Sequence, residues 1–194
     1  MIEKQAVTSA IFDREFIKGF HGGVPNIKES KMLIAKRPKN DVWSPGKLYF
    51  PTETYESGID PDIEKNNIGY VMRSVAERGF LEEFRPVEKC NLPNLDYIGW
   101  YKDTQTNYAV HVCLGNIWSP SSWSPRKDLG KMLNTTEEVP KYYWRTLPHV
   151  IKMMKKGKVA GEQAVFMIVQ EIERRLQRAN TTYGDELSRL ILDL

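Results

Sequence analysis

Two adjacent glutamates, Glu82 and Glu83, are the residues of this chain whose placement most clearly suggests chemistry. They end a segment of helical hydrophobic spacing, which predicts a helix from Tyr70 to Phe84. Glu83 follows Met72 by eleven residues and so shares its apolar face. A carboxylate on such a face is costly to bury unless it is paired or bound to a cation. The pattern favours a hard-cation site, where oxygen ligands hold Mg²⁺ beside a phosphate.

A purely structural interpretation of the same residues stays open. Arg78 precedes Glu82 by four residues, so the two side chains can form an ion pair on the helix surface. Such a pair contributes only a few tenths of a kcal/mol. In this interpretation Glu83 is simply the frayed end of the helix.

The helix resembles the catalytic helix of the Nudix hydrolase family, which typically reads A-A-x-R-E-L-x-E-E-x-G. From Val75 to Phe84 this chain reads V-A-E-R-G-F-L-E-E-F. Arg78 stands at the family's arginine, and Glu82 and Glu83 stand at its paired glutamates. The paired-glutamate helix is the specific part of the resemblance.

Segments on either side of the helix follow the family's order. Phe50 to Gly58 reads F-P-T-E-T-Y-E-S-G and looks like the family's F-P-G-G-x-x-E-x-G-E. A strand from Lys31 to Arg37 precedes it, and a hairpin from Leu95 to Asn116 follows the helix. The resemblance therefore covers Lys31 to Val150.

Several positions depart from the family's pattern. Thr52 and Glu53 replace its paired glycines, Ile59 replaces the glutamate of the first block, and Gly79 replaces the glutamate after the arginine. Arg85 replaces the final glycine. The interval from Ile59 to the arginine is 19 residues against eight in the family, so the loop carries 11 more. Gly79 removes a carboxylate from the metal-binding face.

The resemblance implies a Mg²⁺- or Mn²⁺-dependent pyrophosphohydrolase acting on a nucleoside diphosphate linked to another group. The metal would bridge Glu82 and Glu83 to pyrophosphate oxygens and activate water. Glu56, Asp60 or Glu77 is expected to replace the missing metal ligands, and Glu137 or Glu138 is a candidate general base. An alternative for Glu138 is an acidic helix N-terminus, where its charge suits the helix dipole. The expected catalytic residues are Arg78, Glu82, Glu83 and Glu138.

Three further residues are candidates for substrate binding. Arg37 could contact phosphate, and Tyr49 and Trp118 could stack on a base. Core packing for the aromatic residues, and a plain surface position for the arginine, are the alternatives.

The elements needed to position these residues form an α+β pattern. We expect a Nudix-like α/β/α sandwich with a mixed sheet and a C-terminal helical extension. The expected domains are an N-terminal helix and linker (1–30), a Nudix-like domain (31–155) and the extension (156–194). The remaining expected elements are helices at Ser9–Phe20, Lys141–Lys155, Gly161–Gln177 and Asp185–Leu194, a strand at Lys47–Phe50, and a loop at Thr52–Asn67.

Composition narrows the class of protein without choosing a function. The chain has 194 residues, of which 41% are hydrophobic, and a net charge of +3. It has no apolar run long enough for a membrane span and no secretory signal, so we expect no membrane partner and a cytoplasmic location. Two cysteines build neither a disulfide framework nor a cysteine-rich zinc site.

Two rival functions remain open. One is a catalytically inactive Nudix-fold protein that binds nucleotide, nucleic acid or protein. The other is an unrelated α+β nucleic-acid-binding module, favoured by the basic residues of 141–178. In addition, the consecutive apolar residues of 161–177 predict either a two-fold homodimer through this helix or cover by the short terminal helix.

Overall fold

The computed structural model describes residues 4–13, 29–40, 44–86, 93–117, 133–136 and 139–178. In these residues seven strands form one sheet, and three helices pack on it. The strands are β1 (Gln5–Phe12), β2 (Lys31–Lys36), β3 (Leu48–Tyr49), β4 (Thr52–Thr54), β5 (Pro93–Asp103), β6 (Tyr108–Ile117) and β7 (Tyr142–Thr146). The helices are α1 (Ile68–Phe84), α2 (Leu147–Lys155) and α3 (Glu162–Arg178).

The sheet is mixed, with β1 at its centre. Its order is β3-β2-β1-β6-β5, with β4 pairing with β1 and β7 pairing with β2. β1 runs parallel to β6 from Gln5 opposite Ala109 to Phe12 opposite Asn116. The pairs of β1 with β2, β2 with β7, and β5 with β6 are antiparallel.

Hydrophobic clusters on the two faces of the sheet make an α/β/α sandwich. One face carries Val7, Ile11 and Leu33 against α1, which contributes Val75 and Phe80. The opposite face packs against α2 and α3. This arrangement confirms the expected α+β sandwich, with α1 alone on one side among the described helices.

β1 shows that the expected N-terminal helix is wrong for Ser9–Phe12. Ala6 to Phe12 are all buried, because the strand has neighbours on both edges and helices over both faces. A strand buried on both faces loses the alternation of apolar and polar residues that identifies a strand. Because the adjacent residues Ile11 and Phe12 are both apolar, this part of the chain fits a helical pattern as well as a strand. The rest of that expected helix, 14–20, lies outside the described residues.

Two other expectations are corrected by strand pairing. Tyr142–Thr146 forms β7 against β2 instead of beginning a helix, and α2 starts only at Leu147, with proline in its first turn. Proline suits that position because its missing N–H has no helical partner there. Thr52–Thr54 is β4 and not loop, since it pairs with β1.

The strongly apolar helix expected at 161–177 is present as α3. Its apolar residues from Ala164 to Leu176 are covered by the sheet within one chain, except that Phe166 and Met167 are half-buried. The expected terminal helix, 185–194, lies outside the described residues. Among the helices that are described, none has the length and apolar content needed to cross a membrane.

The buried His111 of β6 provides a test of this fold. Its Nδ1 lies 3.1 Å from the Tyr97 hydroxyl and its Nε2 lies 2.5 Å from Gln5 Oε1. Burial lowers the pKa of His111 from 6.5 to about 4. As the pH falls, His111 therefore takes up a proton in the unfolded chain before it does so in the folded protein. The free energy of unfolding should then fall as pH drops from 6.5 to about 4.

His111→Gln should lose less stability than wild type across that pH interval, because glutamine does not titrate. Urea unfolding of both proteins at a series of pH values measures the difference. Identical pH dependence in the two proteins would contradict the buried neutral histidine.

Candidate functional site

The guanidinium of Arg78 joins α1 to the loop that follows β4. Its Nε and Nη2 donate to the two carboxylate oxygens of Asp60, each at 3.0 Å. Nη2 also donates to the Thr54 carbonyl at 2.8 Å, and Nη1 donates to Glu82 Oε2 at 3.2 Å. One side chain thus connects the helix, the end of β4 and the loop.

Asp60 is the buried partner in this network. Its side chain is only 3% exposed, and its Oδ2 also accepts a hydrogen bond from the Glu56 N–H at 2.8 Å. Both carboxylate oxygens are therefore engaged in positioning Arg78 and closing the turn. The half-exposed Glu56 places its Oε1 3.5 Å from Arg78 Nη1.

Glu53 is a site residue that the sequence analysis treated only as a departure from the family. Its side chain lies directly on α1 at Gly79. A Cβ added to Gly79 would lie 2.5 Å from Cβ, 2.8 Å from Cγ and 3.0 Å from Oε2 of Glu53. Such distances are far inside ordinary contact, so the glycine is needed for the carboxylate to reach this place.

The pKa of Glu53 reflects the partly buried position of its side chain. Burial raises the pKa of its carboxyl, and this outweighs the Thr54 N–H and the Arg78 guanidinium, which lower it. Its Oε1 accepts from the Thr54 N–H at 2.7 Å and lies 3.7 Å from Arg78 Nη1. The negative charges of Glu82 and Glu56 also raise the pKa. Glu53 therefore holds a proton more readily than an exposed glutamate does.

The paired glutamates differ in exposure as the helical spacing predicts. Glu83 is buried at 7% exposure, whereas the side chain of Glu82 is 56% exposed. The Glu83 carbonyl accepts a hydrogen bond from the Thr136 hydroxyl at 2.9 Å. Glu138 lies outside the described residues. Thr136, two residues before it, is thus anchored at the end of α1.

Two expected substrate contacts are adjacent in the structure. The Arg37 guanidinium lies over the Tyr49 ring at 4.0 Å from its centroid. Tyr49 is 4% exposed and belongs to the core cluster beside α1. Its ring therefore supports Arg37. Trp118, the third candidate, lies outside the described residues.

The carboxylates of the candidate site provide only part of what a complete Mg²⁺ site needs. Among the described residues, no group of three or more His, Cys, Asp or Glu side chains is arranged to hold a metal ion. Mg²⁺, however, usually takes one or two carboxylates and completes its shell with water and substrate phosphates. The carboxylates of Glu53, Glu82 and Glu83 are hard oxygen donors of this kind. Their donor type suits a metal that arrives with a phosphorylated ligand, although the three side chains are not arranged as a ready-made metal site.

The contact of Glu53 with Gly79 predicts an unusual mutational response. Replacing glycine by alanine inside a helix ordinarily stabilises by about 1 kcal/mol. Gly79→Ala should instead destabilise, because the new methyl would overlap Cβ and Cγ of Glu53. Adding Glu53→Gly should convert the same Gly79→Ala change into a stabilising one. Thermal unfolding of the four proteins in this cycle measures the effect, and a stabilising Gly79→Ala in the wild-type background would contradict the packing.

No protein-family model matches this chain, and no curated protein matches it in sequence. Many solved structures match it in three dimensions. A Nudix hydrolase from Alicyclobacillus acidocaldarius has a TM-score of 0.55 at 12% identity, covering 85% of this chain and 89% of that one. The MutT protein of Methanosarcina mazei Go1 has a TM-score of 0.51 at 16% identity, covering 92% and 96%.

A third similar structure is the Nudix domain of Shewanella oneidensis NrtR, which is complexed with ADP ribose. Its TM-score is 0.51 at 13% identity, with 93% of this chain and 90% of that chain covered. These matches extend beyond the Lys31–Val150 segment in which the sequence resemblance was found. On this evidence the chain has the Nudix fold.

Proposed function

We propose that this protein is a Nudix-type pyrophosphohydrolase that cleaves a nucleoside diphosphate linked to another group, with Mg²⁺ or Mn²⁺ as cofactor. The observation that carries the proposal is α1 itself. The helix presents Arg78, Glu82 and Glu83 at the positions of the family's catalytic helix, in a chain with that family's fold. ADP ribose in the similar NrtR domain supports a nucleotide derivative as the ligand class.

In this proposal the glutamates of α1 would hold the cation, and Arg78 positions Glu82. When bound, the divalent cation polarises the phosphorus and lowers the pKa of an attacking water. Glu83 supplies a buried carboxylate and Glu82 an exposed one at the same helix end. Arg78 restrains Glu82 and holds the loop containing Glu56 and Asp60 against the helix. Asp60 affects the site indirectly, because it holds the Arg78 guanidinium in place.

Glu53 supplies the carboxylate that Gly79 lacks. The chain carries glutamate where the family has glycine, and glycine where the family has glutamate. In the fold these two positions touch. Compared with the family's pattern, the carboxylate is carried by β4 instead of by the helix. It occupies the space that a side chain at position 79 would fill.

Glu138 remains the candidate general base. Its support is the hydrogen bond of Thr136 to the Glu83 carbonyl, which brings the preceding chain to the site. Arg37, held over Tyr49, remains the candidate contact for a substrate phosphate. The homodimer through 161–177 also remains a proposal, supported by the half-buried Phe166 and Met167 of α3.

Glu83→Gln tests the catalytic proposal. This change removes the charge of the buried carboxylate with almost no change in volume. Turnover of ADP ribose and related nucleoside diphosphate derivatives with Mg²⁺ or Mn²⁺ should fall on the order of 100-fold, since losing a group that merely orients a metal ligand already costs about 10–100-fold. Glu162→Gln, at an exposed glutamate in the first turn of α3, is the matched control and should keep wild-type turnover.

Equal turnover in Glu83→Gln and wild type, at equal folded content, would exclude the proposed role of Glu83. A wild-type protein that binds these nucleotides but turns none of them over would favour the inactive binding protein. Calorimetric titration with the nucleotide, with and without Mg²⁺, separates that outcome from an absence of binding.

A position swap tests the role of Glu53. Glu53→Gln should lose activity on the order of 100-fold, by the same argument as for Glu83. The double variant Glu53→Gly/Gly79→Glu returns the carboxylate to the helix and should recover turnover to within about tenfold of wild type. Mn²⁺ affinity in the presence of nucleotide should follow the same order. A swap variant that folds but stays as inactive as Glu53→Gln would show that Glu53 does not replace the missing glutamate.

A further inference from the structure

A basic cleft lies on the face of the sheet opposite α1, beside strands β2, β3 and β7. Its volume is about 480 Å³. Leu48 and Met153, which line it, belong to the hydrophobic cluster of α2 and α3 and not to that of α1. The cleft is therefore separate from the candidate site at Glu82 and Glu83. Its cationic lining residues are Lys36, Lys47, Arg145 and Lys158.

Backbone pairing brings these four cations together from distant parts of the chain. Lys36 ends β2 and pairs with Leu48 of β3, the residue after Lys47. Arg145 lies on β7, which pairs with β2 on its other edge. Leu48 also donates its N–H to the Lys158 carbonyl at 2.9 Å and accepts from the Ala160 N–H at 2.7 Å. The frame of the cleft is thus hydrogen-bonded on each side.

The positive charges of the cleft have no acidic partner among the residues that the structure describes. None of the described lining residues is an aspartate or a glutamate. Within the described parts of the chain, none of the ion pairs involves Lys36, Lys47, Arg145 or Lys158. Four like charges on one concave surface repel each other and raise the local concentration of anions. An anionic ligand is the natural occupant.

The aromatic residue of the cleft favours a ligand recognised through its phosphates. The guanidinium of Arg145 lies 5.0 Å from the centroid of the Tyr143 ring, and Nζ of Lys141 lies 5.4 Å from it. Two cations therefore occupy the surroundings of the ring where a base would stack. Tyr143 holds Arg145 in place, so the cleft presents charge and not a stacking platform.

The positive surface extends beyond the cleft along α2. Lys152 follows His149, a lining residue, by three positions and so shares its helix face, and Lys156 directly follows the last residue of α2. All three are exposed. In contrast, Arg174 and Arg175 of α3, which belong to the same basic segment in sequence, are ion-paired with Glu171. Among the described residues, Arg145, Lys152, Lys156 and Lys158 belong to none of the ion pairs. These cations extend the positive surface from the cleft along α2.

We propose that this cleft binds consecutive phosphates of a single-stranded nucleic acid, without preference for base sequence. The uncompensated cations supply the phosphate contacts, and their line along β7 and α2 matches an extended polyanion. Binding of this kind releases counterions, so its affinity should fall steeply with salt. The inference does not depend on hydrolase activity.

Fluorescence anisotropy with a labelled single-stranded oligonucleotide of about 20 residues tests the proposal on the full chain. Arg145→Gln/Lys158→Gln should weaken binding about tenfold at 0.1 M salt and reduce the salt slope by about 1.4, since each lost contact removes about 0.7. The control Lys65→Gln/Arg174→Gln removes the same charge at two exposed cations that are ion-paired with Asp62 and Glu171. Its affinity should stay within about twofold of wild type.

Three outcomes would overturn the proposal: no binding by wild type at low salt, equal weakening in both double variants, or displacement of the oligonucleotide by ADP or tripolyphosphate at equal phosphate concentration. The last would assign the cleft to a small polyphosphate. Lys47→Gln/Lys158→Gln, which changes two exposed side chains, gives the same test if the first double variant does not fold. Matching thermal melts establish folding in each case.

Discussion

The bidentate pair between Arg78 and Asp60 is the interaction on which the candidate site depends. It joins residues 18 positions apart, across a loop that carries 11 residues more than the family's pattern. Closing a longer loop adds little entropy cost, because that cost grows only with the logarithm of length. Removing one member of a buried ion pair, by contrast, typically costs about 3–5 kcal/mol. The loop can therefore lengthen without displacing Glu56 and Asp60 from α1.

The close approach of β4 to α1 sets the second constraint. Glu53 reaches the helix only because Gly79 has no side chain, and the helix tolerates that glycine, although it costs about 1 kcal/mol relative to alanine. The resulting carboxylate is enclosed, close to Arg78, and has a raised pKa. Glu53 and Gly79 each depart from the family's pattern, but in the fold the side chain of Glu53 fills the space that Gly79 leaves open.

The sheet separates two surfaces of opposite charge. On the α1 side, Glu53, Glu56 and Glu82 surround a single guanidinium. On the α2–α3 side, four cations line a cleft whose described lining residues include no carboxylate. A net charge of +3 conceals this division. The proposed cation-dependent site and the proposed polyanion-binding surface can coexist in one small domain because the packed sheet and its helices keep them on different faces.

The sequence by itself determined the features that depend on local periodicity. The spacing from Met72 onward predicted α1 to within two residues and placed Glu83 on its buried face. The aromatic and β-branched residues of 95–102 and 107–116, on either side of a polar turn, predicted the β5–β6 hairpin. Only the tertiary structure decided the roles of β1 and β7, the contact of Glu53 with Gly79, and the convergence of Lys36, Lys47, Arg145 and Lys158. A strand covered on both faces carries no alternating pattern, and side chains brought together by sheet pairing leave no periodic signal along the chain.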